Sequence, residues 1–115
     1  MRSILSELNG KYPQIDASAI ISKDGLVIES ALSRLFNEDR IAGLSAALYS
    51  VGSRSSQELT GGNLDHMILQ GSEGYLFITE IGKEAMLTII SKNLTDSEPL
   101  FEELKQTSKR ISPFL

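Results

Sequence analysis

Apolar positions in this chain alternate between a helical and a strand period. Ile4, Leu5, Leu8 and Tyr12 recur at three-to-four spacing, which predicts a short first helix that Pro13 ends. Two apolar runs follow, Ala17 to Ile21 and Leu26 to Ile28, separated by Ser22-Lys23-Asp24-Gly25. An Asp-Gly pair accepts the positive φ of a tight turn, so these runs are expected as paired strands. Ala31 to Phe36 then reads as a connection. Asn37 is an N-cap residue, and Glu38 and Asp39 place negative charge at the positive end of a helix dipole. Phe36 before the cap and Ile41 after it fit a hydrophobic staple. The helix is expected from Glu38 to near Leu59, where Gly61-Gly62 stops it.

Three more strands are expected at His66 to Leu69, Tyr75 to Thr79 and Ala85 to Ile90, with Gly71-Ser72-Glu73-Gly74 and Gly82-Lys83 as turns. A last helix begins near Ser97 or Glu98 with Pro99 in its first turn, where a missing N–H costs nothing. Leu100, Leu104, Ser108, Ile111 and Leu115 mark its inward stripe. The predicted order is therefore α-β-β-α-β-β-β-α, with antiparallel meanders joined by short turns. Ile20-Ile21, Leu76-Phe77-Ile78 and Ile89-Ile90 are apolar at consecutive positions, so both faces of the sheet must be covered. The expected solution is an α/β fold of the α+β type, with the long helix on one face and the two terminal helices on the other.

The long helix departs from the usual amphipathic pattern. Advancing about 100° per residue puts Ile41, Leu44, Leu48, Val51, Ser55 and Leu59 on one side, expected to face the sheet. The opposite side carries Gly43, Ala46, Ser50, Ser53 and Gln57, and no charged residue occurs across the thirteen positions between Arg40 and Arg54. A solvated back face normally carries charge. Small residues remove the bulk that keeps helix axes apart, so this face is expected to meet another helix, that of a second copy. The competing readings are that alanine and serine are tolerated on a wet surface, or that loops of the same chain cover them. The strand at His66 to Leu69, including Ile68, is a candidate sheet edge, which is a template for pairing with another chain.

Length adds that 115 residues make one domain, expected over 1–115. A net charge of -4 with scattered Lys and Arg argues against broad nucleic-acid binding. No apolar run approaches the roughly 20 residues that span a bilayer, so the chain reads as soluble and cytoplasmic, without membrane insertion. Absence of cysteine excludes disulfides and thiolate chemistry, and the single histidine, His66, excludes histidine-based metal clusters. His66 reads as a half-exposed sheet residue. No Gly-Lys-Ser/Thr phosphate loop occurs, and Gly71-Ser72-Glu73-Gly74 is flanked by strands on both sides instead of opening a helix. Glu102-Glu103 reads as a solvated helix face. No catalytic constellation, metal site or cofactor site is expected, and the chain is read as a non-enzyme.

Several segments together resemble the Roadblock/dynein light chain family, in its single-domain prokaryotic type. They are Ala19-Ile20-Ile21 through Asp24-Gly25-Leu26-Val27-Ile28, then Ile41-Ala42-Gly43-Leu44-Ser45-Ala46-Ala47-Leu48, Gly61-Gly62 and Gly71-Ser72-Glu73-Gly74-Tyr75-Leu76. The resemblance spans nearly the whole chain and lies in the order and spacing of these segments. It implies a five-stranded antiparallel sheet and a homodimer, or a paralogue heterodimer, built through the long helix and the third strand. It also implies that the paired helices face a Ras-like small GTPase. Some members stimulate GTP hydrolysis by repositioning the GTPase's own catalytic residues, and others act as dynein adaptors or scaffolds. By position, Gly43, Ala46, Ala47, Ser50 and Ser53 fall on the dimer and platform helix, with Arg40 and Arg54 at its rim. Gln57, His66 and Ile68 complete the expected interface. Leu32, Leu35 and Phe36 make the connection before the helix more apolar than the family pattern, Asn93 to Glu98 lacks a glycine often found there, and the C-terminal extension of some gliding-motility regulators is missing.

The leading expectation is thus a homodimeric regulator or scaffold of a Ras-like GTPase. A complex-assembly adaptor with no effect on hydrolysis shares every feature. A small-ligand sensor is the weaker third reading, because the strands are dense in Ile and Leu with few convergent polar groups.

Overall fold

The computed structural model describes residues 2–92 and 98–114. Its elements are α1 (Arg2–Lys11), β1 (Ala17–Ser22), β2 (Val27–Leu32), α2 (Glu38–Thr60), β3 (His66–Gly71), β4 (Gly74–Ile81), β5 (Ala85–Ser91) and α3 (Glu98–Ile111), followed by a 3-10 turn at Ser112–Phe114. This is the predicted order. The strands form one five-stranded antiparallel sheet, β2-β1-β5-β4-β3. Its two halves join where β1 runs against β5, from Ala17 opposite Ile90 to Ser22 opposite Ala85. β2 and β3 are the edges.

The local signals act as expected. Gly25 takes φ +90 in the β1–β2 turn, where its N–H donates to the Ser22 carbonyl at 2.9 Å. The Asn37 side chain accepts from the Arg40 N–H at 3.1 Å, capping α2. Gly61 closes the other end at φ +81, donating to the Gln57 carbonyl. β2 is longer than its sequence suggests. Ala31 and Leu32, expected in a connection, continue the strand opposite Ser18 and Ala17. Tertiary structure holds them there: Asn9 donates through Nδ2 to the Ala31 carbonyl at 3.2 Å and accepts from Ser18 Oγ at 2.8 Å.

Alternating side chains divide the interior into two cores. On one face Ile20, Tyr75, Phe77, Ile81, Leu87 and Ile89 pack with Leu5 and Leu8 of α1 and Leu100, Leu104 and Ile111 of α3. On the other, Ala19, Ile21, Ile78 and Met86 pack under Ala42 and Tyr49 of α2. The long helix therefore covers one face and the terminal helices the other. Each fully buried Leu, Ile or Phe contributes about 1.5–3 kcal/mol relative to exposure. Leu100, Leu104 and Ile111 of the predicted α3 stripe have no exposed surface, and Ser108 is nearly buried. Leu115 and Ser97, also named for that helix, lie outside the described residues.

Candidate partner-binding surface

α2 sits on the sheet in a different phase from the one its large side chains suggest. Ala42, Ser45 and Tyr49 are its buried residues. Leu44, Val51 and Leu59, expected to face the sheet, are instead 59%, 67% and 84% exposed. Ile41 and Leu48 are half-buried and pack against the core under α2. The cause is close approach. A Cβ at Gly52 would lie 2.7 Å from Met67 Sδ, so the methionine side chain of β3 reaches up against the helix where it has no side chain. Ala42, Ser45 and Gly52 are spent against the chain's own sheet, and the aliphatic ridge is turned outward.

That ridge runs beside the open edge strand. Leu44 shares an apolar groove of about 390 Å³ with Ile41, Leu69, Leu76 and Ile90. Farther along the helix, Gly52 lies on Met67. α2 therefore passes over β3 in the antiparallel sense, its N-terminal half above the end of the strand. On β3 itself, Ile68 is 43% and Leu69 48% exposed. Leu69 lies on the α2 side of the sheet and Ile68, opposite Phe77, on the side of the terminal helices, so the edge strand offers an apolar side chain on each face. His66 opens the strand, half-buried, with its ring stacked on Phe77 at 5.5 Å and Nδ1 3.1 Å from Asp65 Oδ2.

The other flank of α2 is polar. Ala46, Ser50, Ser53, Arg54 and Gln57 line an open groove of about 1130 Å³ together with residues of α3 and of the β1–β2 and β4–β5 turns. Within it the Tyr49 hydroxyl donates to the Glu80 carboxylate. Lys23 Nζ lies 3.7 Å from Glu80 Oε2 and 5.3 Å from the centre of the Tyr49 ring. Burial raises the Tyr49 pKa above the ordinary tyrosine value, and the hydrogen bond to Glu80 and its negative charge push the same way. This cluster was missed at the sequence level because its members come from three separate elements.

Of the residues singled out by sequence, Arg40, Gly43, Ala47, Ser50, Arg54, Gln57 and Ile68 are exposed, while Ala46, Ser53 and His66 are half-buried. A Cβ at Gly25 would touch the Ala46 Cβ at 3.6 Å, which places Ala46 against the β1–β2 turn. Leu44, Val51, Leu59 and Leu69 were not among them. Their signal was present as spacing, because Ala42, Ser45, Tyr49 and Gly52 form a second three-to-four stripe on α2. Among the described residues no group of His, Asp and Glu is placed to hold a metal ion, and no helix is long and apolar enough to cross a membrane.

Comparison with known proteins gives this architecture a family. A protein of Methanocaldococcus jannaschii is 29% identical over 109 residues, covering 95% of this chain and 90% of its own. The Roadblock/LC7 domain from Streptomyces avermitilis superposes with a TM-score of 0.91 at 23% identity, covering 99% of this chain and 96% of that one. Myxococcus xanthus MglB does so with a TM-score of 0.88 at 18% identity, covering 98% and 92%. At these identities the two structures establish the shared fold. The Roadblock/LC7 domain family matches residues 3–91, most of the length, and this chain belongs to it.

Proposed function

We propose that the chain acts in the cytoplasm as a homodimer, joined through α2 and β3, that regulates or scaffolds a Ras-like small GTPase. The observation that carries the dimer is the outward aliphatic ridge of α2, Leu44, Val51 and Leu59, on the same side of the sheet as Leu69 of the open edge strand, with Ile68 exposed on the edge's other face. Two-fold association is self-complementary, so one patch serves both subunits. Because α2 runs antiparallel over β3, a single two-fold axis pairs β3 with β3 and α2 with α2 at once. It covers the edge and the ridge together.

The GTPase role rests on family membership and on the surface that such a dimer leaves free. Gly43 and Ser50 are exposed and small, and Arg54 stands at one margin of the uncharged stretch. Two such faces side by side form a broad platform without bulky side chains, with rim cations suited to an acidic partner. In this reading the protein contributes shape and charge, and any chemistry belongs to the GTPase. Calorimetry with Ras-like GTPases from the same genome, loaded with a GTP analogue, tests it. Binding to at least one, preferential for the GTP form, is expected, and no binding to any would remove the GTPase from the account. Turnover with and without the protein then separates an activator from an adaptor.

A further inference from the structure

Arg40 and Glu58 sit where the electrostatics of their own helix disfavour them. A helix carries partial positive charge at its N-terminus and partial negative charge at its C-terminus. Arg40 lies in the first turn of α2, and Glu58 in the last, which has no basic residue. Both are exposed, and neither side chain forms an ion pair or hydrogen bond among the described residues. Glu38 and Asp39 show that the same helix otherwise follows the dipole rule at its start. Where a sequence breaks a local rule at two matched places, something outside the local structure is expected to compensate.

The two positions are matched in direction as well as in sign. Eighteen positions separate them, about five whole turns at roughly 3.6 residues per turn, so both side chains leave α2 along one line. Between them that side of the helix carries Leu44, Ala47 and Val51, exposed and uncharged, and Arg54, one turn before Glu58 and with it on the rim of the polar groove. A parallel neighbour would set Arg40 against arginine and Glu58 against glutamate. An antiparallel neighbour sets opposite charges together at both ends.

The sheet edge fixes the same axis independently. The midpoint between Arg40 and Glu58 is Tyr49. Leu44, before it, shares a groove with Leu69, and Gly52, after it, lies on Met67. The centre of α2 therefore stands above Ile68 and Leu69, the exposed middle of β3. A two-fold axis there makes β3 pair antiparallel about its own centre while the α2 ends exchange. We propose that Arg40 pairs with Glu58 of the partner subunit, twice per dimer, and that these ion pairs set the register in which two copies of this chain associate. The proposal rests on the homodimer reading above and names the charge code of that interface.

Stepwise charge reversal in the full chain, read by sedimentation equilibrium, tests it. Arg40→Glu and Glu58→Arg are each expected to weaken the dimer about tenfold, since two exposed attractions become two repulsions. The double variant Arg40→Glu/Glu58→Arg is expected to return to within about threefold of the unmodified chain, the coupling expected of residues that meet across the interface. Each reversal suits the α2 dipole, so thermal melts should show the fold intact. Raising salt should weaken the unmodified dimer more than Arg40→Gln/Glu58→Gln. Single reversals without effect, or a double variant as weak as the singles, would overturn the proposal while leaving the homodimer standing. An unmodified chain that stays monomeric would take down both.

Discussion

Val51→Glu separates association from folding, because the side chain it replaces belongs almost wholly to the outer surface. Val51 is 67% exposed and lies on α2 next to Gly52, at the point where the helix meets β3. Burying a valine-sized side chain completely is worth about 1.5–3 kcal/mol, so covering two-thirds of one contributes about 1–2 kcal/mol, or about 2–4 kcal/mol per dimer. Losing that contact corresponds to about a 30- to 700-fold rise in the dissociation constant, and a carboxylate near its own symmetry mate adds to the loss. Glutamate has a higher helix propensity than valine, so the monomer itself should melt no earlier. The assay is size-exclusion chromatography with light scattering over a dilution series, paired with circular dichroism melts. A helical, folded variant that has become monomeric is expected. A variant that dimerises as tightly as the parent would refute the placement of the interface on this ridge.

Other positions give independent checks. Ala46→Glu should act on the fold, since Ala46 is half-buried against Gly25; a loss of about 1–3 kcal/mol in chemical denaturation is expected. Gly74→Ala places a methyl group 2.4 Å from the Ser91 carbonyl oxygen, and backbone cannot yield as a side chain can, so the melting temperature should fall by several degrees, about 4–8 °C per kcal/mol lost. Tyr49 and Tyr75 both have pKa values raised by burial. A raised folded-state pKa means the native state holds its proton more tightly, so their contribution is complete below about pH 10 and declines as pH rises beyond it. Urea denaturation from pH 8 to 11 should therefore show falling stability, with a shallower fall in Tyr49→Phe; equal slopes would contradict the Tyr49–Glu80 contact.

Much of the fold was legible because single residues carried it. Asn37 capped the long helix, Gly25 and Gly61 took the positive φ values their positions required, and consecutive apolar positions in β1, β4 and β5 announced a sheet covered on both faces. The phase of α2 was not legible from hydrophobicity alone. Its large aliphatic residues looked like the core stripe, but the sheet selected Ala42, Ser45 and Gly52, whose small size allows close approach, and left Leu44, Val51 and Leu59 outside. The uncharged stretch between Arg40 and Arg54 marked the helix without marking the flank of it that carries the exposed aliphatic ridge. The end of β2 depended on Asn9 reaching Ala31, twenty-two residues away in sequence, and no local pattern at Ala31 encodes that. The polar groove around Tyr49 likewise needed Lys23 and Glu80 to be brought together by the sheet.

Sedimentation velocity of the unmodified chain across nanomolar to micromolar concentration bears most directly on the account. A chain of 12.6 kDa that closes its exposed edge and ridge with a second copy should sediment as a species of twice that mass and dissociate only on strong dilution. A single 12.6 kDa species at every concentration would mean that Leu44, Val51, Leu59, Ile68 and Leu69 remain open to water, and the proposed dimer would be contradicted.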